Sequence, residues 1–189
     1  MSKLRTKKSK PGSVRIIAGA WRRHRIPVPD GLQLRPTPDR VRETLFNWLD
    51  PELAGTSCLD LFAGTGVLGF EALSRGASRA VLVEQNPRVA AALDQTNREL
   101  NAHAEVVCAD AAKYLTRHGI GPFDVVFVDP PYSQPVEPVL EGLLAALKPG
   151  GLVYLERARG ADWPDFPGAR WSRRGTAGGI EFGLAQTAR

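Results

Sequence analysis

The chain is poor in the residues that build metal centres and disulfide frameworks. Its 189 residues include only two cysteines and three histidines. His24, His103 and His118 share no ligand spacing with each other or with a cysteine, so no metal site is expected. Cys58 and Cys108 fall in separate apolar segments. With one strand between them they would stand about 9 to 10 Å apart, beyond disulfide reach, so both are expected as reduced core residues. No apolar run approaches the ~20 residues of a membrane helix, which argues against a membrane protein. Acid is missing from the start of the chain. Nine lysines and arginines precede the first acidic residue, Asp30, and such a block favours a polyanionic partner. That basic start runs into Pro11-Gly12-Ser13 rather than into an apolar stretch, a pattern unlike a secretory leader, and a cytoplasmic protein is expected.

What is present suits one globular domain. Hydrophobic residues make up 43% of the chain, enough for a sizeable core, and the net charge is +5. A basic flexible arm is expected over 1–13, followed by a single domain over 14–189, divided into an N-terminal hairpin and helix (14–50) and a core (57–189). Residues 14–29 alternate apolar groups with bases, as in a small hairpin turning near Gly19. Thr37 then has the chemistry to cap a helix whose first residue is Pro38. Val41, Leu45, Trp48 and Leu49 give that helix its apolar stripe, which leaves Arg35, Arg40 and Arg42 for solvent or a nucleic acid.

From residue 57 strands and helices alternate. Strands are expected at 58–62, 80–84, 105–108, 125–129 and 152–156, with helices near 68–75, 87–100, 111–117 and 136–147. Pro149-Gly150-Gly151 is expected to stop the last helix, and a closing hairpin to pair 170–174 with 180–185. Repeated βα units imply an α/β fold with a mostly parallel sheet covered on both faces, completed by a C-terminal antiparallel hairpin.

Asp60-Leu61-Phe62-Ala63-Gly64-Thr65-Gly66-Val67-Leu68-Gly69 closes the first of those strands and opens the first helix. Gly64, Gly66 and Gly69 keep the G-x-G-x-x-G spacing, in which missing side chains let a ligand approach the backbone and let helix and strand pack closely. Glu84, twenty residues beyond Gly64, ends the next strand and offers a carboxylate to ribose hydroxyls. Asp110 ends the third and offers an acceptor to an adenine amine, with the Ala111 amide beside it. Its other reading is a cap for the helix that follows. These features alone fit a nicotinamide dinucleotide and an adenosyl cofactor equally.

The second motif separates the two. Asp129-Pro130-Pro131-Tyr132 follows the apolar run Val125-Val126-Phe127-Val128. Two prolines make a stiff exit from the sheet and leave carbonyls free to accept hydrogen bonds. A carboxylate, a bare carbonyl and an aromatic ring are thereby held together, a set suited to a planar group that carries an amine. A dehydrogenase has no use for it beside its cofactor. The combination is the pattern of adenosylmethionine-dependent methyltransferases that act on exocyclic amines. Asp60 is then expected near the methionine end of the cofactor, its second reading being a brace for the loop amides.

Arg15-Ile16-Ile17-Ala18-Gly19-Ala20-Trp21-Arg22, the stretch from Leu34 through Leu49 and the stretch from Asp60 to Ala77 resemble the bacterial 16S ribosomal RNA guanine-N2 methyltransferases of the RsmD family. The likeness runs from about residue 14 to residue 132. It implies a class I methyltransferase fold (Rossmann-like), S-adenosyl-L-methionine as cofactor, and methylation of one guanine in small-subunit rRNA within an assembled or assembling 30S subunit. By position, Asp60, Phe62, Ala63, Gly64 and Gly66 would line the cofactor, Glu84 hold its ribose, Asp110 and Ala111 its adenine, and Asp129, Pro130, Pro131 and Tyr132 the target base. A monomer is expected. The family often carries a glycine after its Trp-Arg pair, where this chain has Arg23. The competing readings are a DNA adenine or cytosine amino-methyltransferase, a non-catalytic rRNA-binding assembly factor, and a nicotinamide-dependent oxidoreductase.

Overall fold

The computed structural model describes residues 12–29, 37–50, 53–117, 120–131 and 134–188. The expected basic arm falls mostly outside these residues, as do Tyr132 and Arg35. Strands β1 (Ser13–Arg15) and β2 (Arg25–Pro27) pair antiparallel, with Val14 opposite Ile26 and both buried. Helix α1 (Asp39–Leu49) follows. Strands β3 (Ser57–Asp60), β4 (Arg79–Glu84), β5 (Glu105–Cys108), β6 (Phe123–Val128) and β7 (Leu147–Ala158) then alternate with helices α2 (Val67–Ser74), α3 (Pro87–Leu100), α4 (Ala111–Leu115) and α5 (Glu137–Ala146). A hairpin of β8 (Ala169–Ala177) and β9 (Ile180–Thr187) closes the chain.

The seven-stranded sheet has the order β5-β4-β3-β6-β7-β9-β8. Strands β3 to β7 run parallel to one another, and β9 inserts antiparallel between β7 and β8. Such strands are buried on both faces, and alternate residues serve opposite cores. Cys58, Ala80 and Leu82 pack with Leu45, Phe46, Phe70 and Leu93 from α1, α2 and α3. Leu59, Val81 and Val83 pack with Tyr114, Leu115, Leu140 and Leu143 from α4 and α5. The chain leaves β3 in one direction across the sheet through β4 and β5, then returns to β6 on its other side. The carboxyl ends of β3 and β6 therefore flank a topological switch point, where open α/β sheets bind ligands.

The hairpin shares the core rather than standing apart from it. Ile17 and Ala18 donate backbone N–H bonds to the buried Glu71 of α2 at 2.7 and 3.0 Å. Ser74 receives the Trp21 amide and donates to the Ala18 carbonyl. Gly19 has φ +81° and a Cβ there would collide with the Ser74 backbone, so this contact demands glycine. Arg23 has φ 72°, the left-handed region in which glycine carries no Cβ penalty.

Several expectations change. Arg42 is not left for solvent: its side chain is fully buried, pairing with Asp39 at 2.6 Å and with Glu71 at 3.4 Å. Helical periodicity does not reveal that a second helix brings an acid to meet it. Thr37 does not cap α1, which begins at Asp39 after Pro38 with no side-chain cap. Its hydroxyl is engaged elsewhere. Cys58 is buried and β4 does separate its strand from that of Cys108, but Cys108 is exposed. Helix α5 ends at Ala146, and Pro149-Gly150-Gly151 lies inside β7, which pairs with β6 from Leu147 onward across a register shift.

Candidate functional site

The loop from β3 to α2 is built by its glycines. Gly64 and Gly66 have φ of 51° and 76°, and a Cβ on Gly66 would come within 2.6 Å of Leu93 and Phe70. A Cβ on Gly69 would run into the Leu82 side chain of β4, so the third glycine sets the closeness of helix and sheet. Ala63 is tied on both sides, its N–H to the Val83 carbonyl and its carbonyl to Gly66 N–H. Phe62 is partly buried beside them.

Glu84 braces this loop from the end of β4. One carboxylate oxygen accepts the Gly64 N–H at 3.0 Å and the other the Asn86 N–H at 2.7 Å. Each oxygen keeps a further lone pair for a hydroxyl. Asp110 caps α4 by accepting the Lys113 N–H at 3.0 Å, and its second oxygen has no partner among the described residues. Ala111 is buried at the start of that helix.

Asp60, at the end of β3, is only 2% exposed. Its Oδ2 accepts the Gly69 N–H at 3.2 Å, and its Oδ1 is buried with no partner. Burial first, then the Asp129 charge, pushes its carboxyl up to about 7, against the pull of the Gly69 and Phe62 amides. Asp129 directly follows β6 and accepts the Thr37 hydroxyl at 3.0 Å. Burial pushes it up to about 6. Pro130 is buried, Pro131 is exposed, and the Pro130 carbonyl accepts no hydrogen bond among the described residues. Glu156, on neighbouring β7, is 4% exposed and accepts the Tyr154 hydroxyl at 3.0 Å. Burial, then Asp129, pushes it up to about 8. Glu156 and Pro130 share the wall of a cleft of about 180 Å³, which Pro131, Gln134, Val136 and Leu155 also line.

Sequence reasoning missed Glu156 and misassigned Thr37. The signal for Glu156 was its place in an apolar run at the carboxyl half of a parallel strand, a position shared with Glu84 and Asp129. The expected aromatic partner, Tyr132, lies outside the described residues.

Asp60, Asp129 and Glu156 all bind a proton more tightly than ordinary carboxyls, and one of their buried oxygens is orphaned. A buried polar atom without a partner costs on the order of 1–3 kcal/mol. The set therefore suits a ligand that carries positive charge, and the glycine loop and Glu84 suit a nucleoside. Both descriptions fit S-adenosyl-L-methionine. Among the described residues no group of histidine, cysteine and carboxylate side chains has the arrangement to hold a metal ion, and no helix is long and apolar enough to cross a membrane.

A family model described as conserved hypothetical protein 95 matches residues 14–185, so the likeness extends well beyond residue 132. The ribosomal RNA small subunit methyltransferase D of Escherichia coli strain K12 is 43% identical over 184 residues, 93% of this chain and 90% of its own length. The Haemophilus influenzae protein of the same name is 41% identical over 98% of this chain and all of its own. Among solved structures, an Escherichia coli protein superposes with a TM-score of 0.86 at 39% identity over 94% of this chain and 99% of its own. A more distant structure, solved in complex with SAH, is 17% identical with a TM-score of 0.68 over 87% of this chain and 53% of its own, which shows the fold alone.

Proposed function

Since the chain belongs to the RsmD family, whose model matches residues 14–185, and is an adenosylmethionine-dependent methyltransferase acting on ribosomal RNA, we propose that it methylates the exocyclic N2 amine of a guanine in the small subunit. Bound S-adenosyl-L-methionine supplies an electrophilic methyl group on a sulfonium. Asp60, Phe62, Ala63, Gly64 and Gly66 hold it along the glycine loop, Glu84 takes its ribose hydroxyls, and Asp110 with Ala111 takes its adenine.

The guanine amine is a poor nucleophile because its lone pair is delocalised into the ring. Asp129 and the Pro130 carbonyl each accept one of its N–H bonds, which turns the lone pair out of conjugation. Pro131 keeps the loop stiff and Tyr132 stacks on the base. Holding two reactants in line supplies up to about 7–11 kcal/mol of barrier reduction, so positioning carries most of the catalysis. The methylated nitrogen is acidic and gives its proton to Asp129 or to water. A paired or stacked guanine must first be extruded, at a cost of a few kcal/mol.

The observation that carries this reading is the parallel pairing of β3 with β6, Asp60 opposite Phe127, so that Asp129 and the glycine loop leave neighbouring strands at the same end of the sheet. Exposed Arg22, Arg23 and Arg25 on the N-terminal hairpin, and Arg170, Arg173 and Arg174 on β8, supply the positive surface that RNA needs. Arg174 also lies over the Trp163 ring at 4.5 Å from its centroid. Relatives named for ribosomal RNA favour that substrate over DNA, and their naming as methyltransferases speaks against a purely binding role. An rRNA substrate supports a cytoplasmic protein that meets the RNA in an assembling or assembled 30S subunit. The chain acts as a monomer and, in one body over 14–189, carries both the RNA-facing hairpin and the core.

The test is Asp129→Ala assayed on isolated small subunits, on naked rRNA and on duplex DNA, with cofactor affinity measured by calorimetry. Methyl transfer should be lost while cofactor binding survives. Joint loss of both refutes the role given to Asp129, and transfer to duplex DNA alone refutes the substrate.

A further inference from the structure

Among the described residues, the buried side-chain nitrogens and oxygens without a hydrogen-bond partner belong to His24, Asp60 and Arg157, and Arg157 has two of them, Nε and Nη1. The Asp60 oxygen is part of the site above, whereas the reaction gives Arg157 no task. A guanidinium keeps its charge and has only donors to offer, so a half-buried one without a counter-ion is unfavourable. The acids nearby do not relieve it. Glu181, opposite Arg157 on β9, accepts the Gly160 N–H, Glu137 and Glu156 line the same cleft, and none of the three forms an ion pair with it. What Arg157 does contact is a ring. Its guanidinium lies over Trp163 at 5.5 Å from the centroid, and Arg174 of β8 lies over the same ring at 4.5 Å and over Trp171 at 5.8 Å. The two indoles meet edge to face at 4.7 Å. Trp163 is seated against β9 where Gly183 leaves room, since a Cβ there would come within 2.8 Å of the ring. A guanidinium over a ring gives its face to the aromatic and keeps its N–H edge for another group. Arg157 also stands beside the proline loop: it lines the cleft of about 180 Å³ together with Pro130, Pro131, Gln134 and Leu155.

We propose that this cleft is a phosphate subsite for the RNA strand: Arg157 takes the backbone phosphate next to the base held by Asp129 and Pro130, and Arg174 takes a phosphate farther along. The fork of a guanidinium matches two phosphate oxygens, and the phosphate brings the negative charge that Arg157 has no other source of among the described residues. Packing on Trp163 restrains both arginines in the free protein, so each loses less side-chain freedom when the strand arrives. Exposed Arg170 and Arg173 continue the positive surface along β8. Phosphate contacts carry no sequence information and instead fix register. Arg157 therefore sets which nucleotide of a bound strand stands at the proline loop. This inference rests on the placement of the target base at Asp129 and Pro130 proposed above.

The test uses the full-length protein with small-subunit rRNA as the probe. Arg157→Met keeps an unbranched side chain against Trp163 and removes the charge. It should weaken RNA binding by about tenfold and reduce the slope of log affinity against log salt by about 0.7–0.9, the share of one phosphate. KM for the RNA should rise in proportion with kcat nearly unchanged, because the contact is made before and during methyl transfer alike. Cofactor affinity should be unchanged, and Arg157→Lys, which keeps the charge, should keep the slope. The denaturation midpoint of RNA-free Arg157→Met should hold or rise, since a half-buried charge without a partner is gone. A lower midpoint with an unchanged salt slope makes Arg157 a structural residue and overturns the proposal. Weaker binding with an unchanged slope places Arg157 on a base edge and overturns it too. Should Arg157→Met fail to fold, Arg157→Gln is read by the same criteria. An unaltered protein that methylates no guanine sinks the functional reading, while the salt slope still decides the subsite; an active protein whose slope Arg157→Met leaves unchanged sinks only the inference.

Discussion

The two halves of the site are assembled in different ways. The half proposed to hold the cofactor is nearly continuous in sequence: it runs from Asp60 to Gly69, and Glu84 reaches back twenty residues to hold Gly64 N–H. The acceptor half is gathered from far apart, with Thr37 and Asp129 separated by 92 positions and Glu156 arriving from a third element. Local geometry holds the first half in shape. The second is held by packing, because Thr37 stays near Asp129 only while α1 is anchored. Arg42 supplies that anchor: its Nε donates to the Thr37 carbonyl at 3.1 Å and its guanidinium pairs with buried Glu71. Burial lowers the Arg42 pKa, while the Asp39 and Glu71 charges keep the guanidinium ionised.

Substitutions that strike one half and spare the other test this contrast. The largest effect is expected from Asp129→Ala, with a loss of about 10²–10³ in kcat, the range seen when one preorganised transition-state contact is removed. Its cofactor affinity should be nearly unchanged, as calorimetry would reveal. Glu71→Ala strips Arg42, Ile17 and Ala18 of a buried acceptor and should cost about 3–5 kcal/mol of stability in denaturant titration. Its activity should fall further than its cofactor affinity, because the anchor of Thr37 goes while the glycine loop remains. Equal loss of both would mean that the halves are not separable.

Glu84→Gln should do the reverse. Cofactor affinity should weaken by about tenfold, the worth of one charge-assisted hydrogen bond, with kcat at saturating cofactor changed much less. The carboxyls give a pH signature to the same contrast. Asp60 is raised to about 7, so the free protein holds a proton there that a cationic ligand displaces. Cofactor affinity should therefore rise with pH toward 7, by at most about tenfold per unit for each proton released, and level off above it. The free protein should move the other way. An acid whose folded-state pKa is raised favours folding while protonated, so stability should fall as pH climbs from about 4 to about 7. Calorimetry in buffers of different ionisation enthalpy would count the protons. The smallest effect should come from Arg173→Ala, which ought to weaken RNA binding slightly and reduce its salt slope by about 0.7–0.9. An unchanged slope would remove β8 from the RNA surface.

The glycine loop was legible because its shape sits in short motifs. Glycine spacing, a strand-end glutamate and a strand-to-helix turn are local facts, and the structure returns Gly64, Gly66, Gly69 and Glu84 in one contact set. Of the half proposed to accept the amine, only Asp129 and its prolines stood out in the sequence. Thr37 read as a helix cap because a threonine before a proline at a helix start has that chemistry nearby, and nothing local announces a carboxylate 92 residues away. Arg42 read as a solvent-facing base because its acid lies on another helix. Cys108 read as core because it ends an apolar strand, yet β5 is an edge strand of the sheet and leaves it exposed.

Sequence alone was enough for the α/β order of elements and the turn of the glycine loop, since periodicity and glycine spacing act over a few residues. The folded chain decided which charges are buried, which hydroxyl meets which acid, and which carboxyls are pushed above their ordinary range. Those outcomes depend on desolvation and on partners from distant elements, and both come into being only when α1, β6 and β7 are packed together.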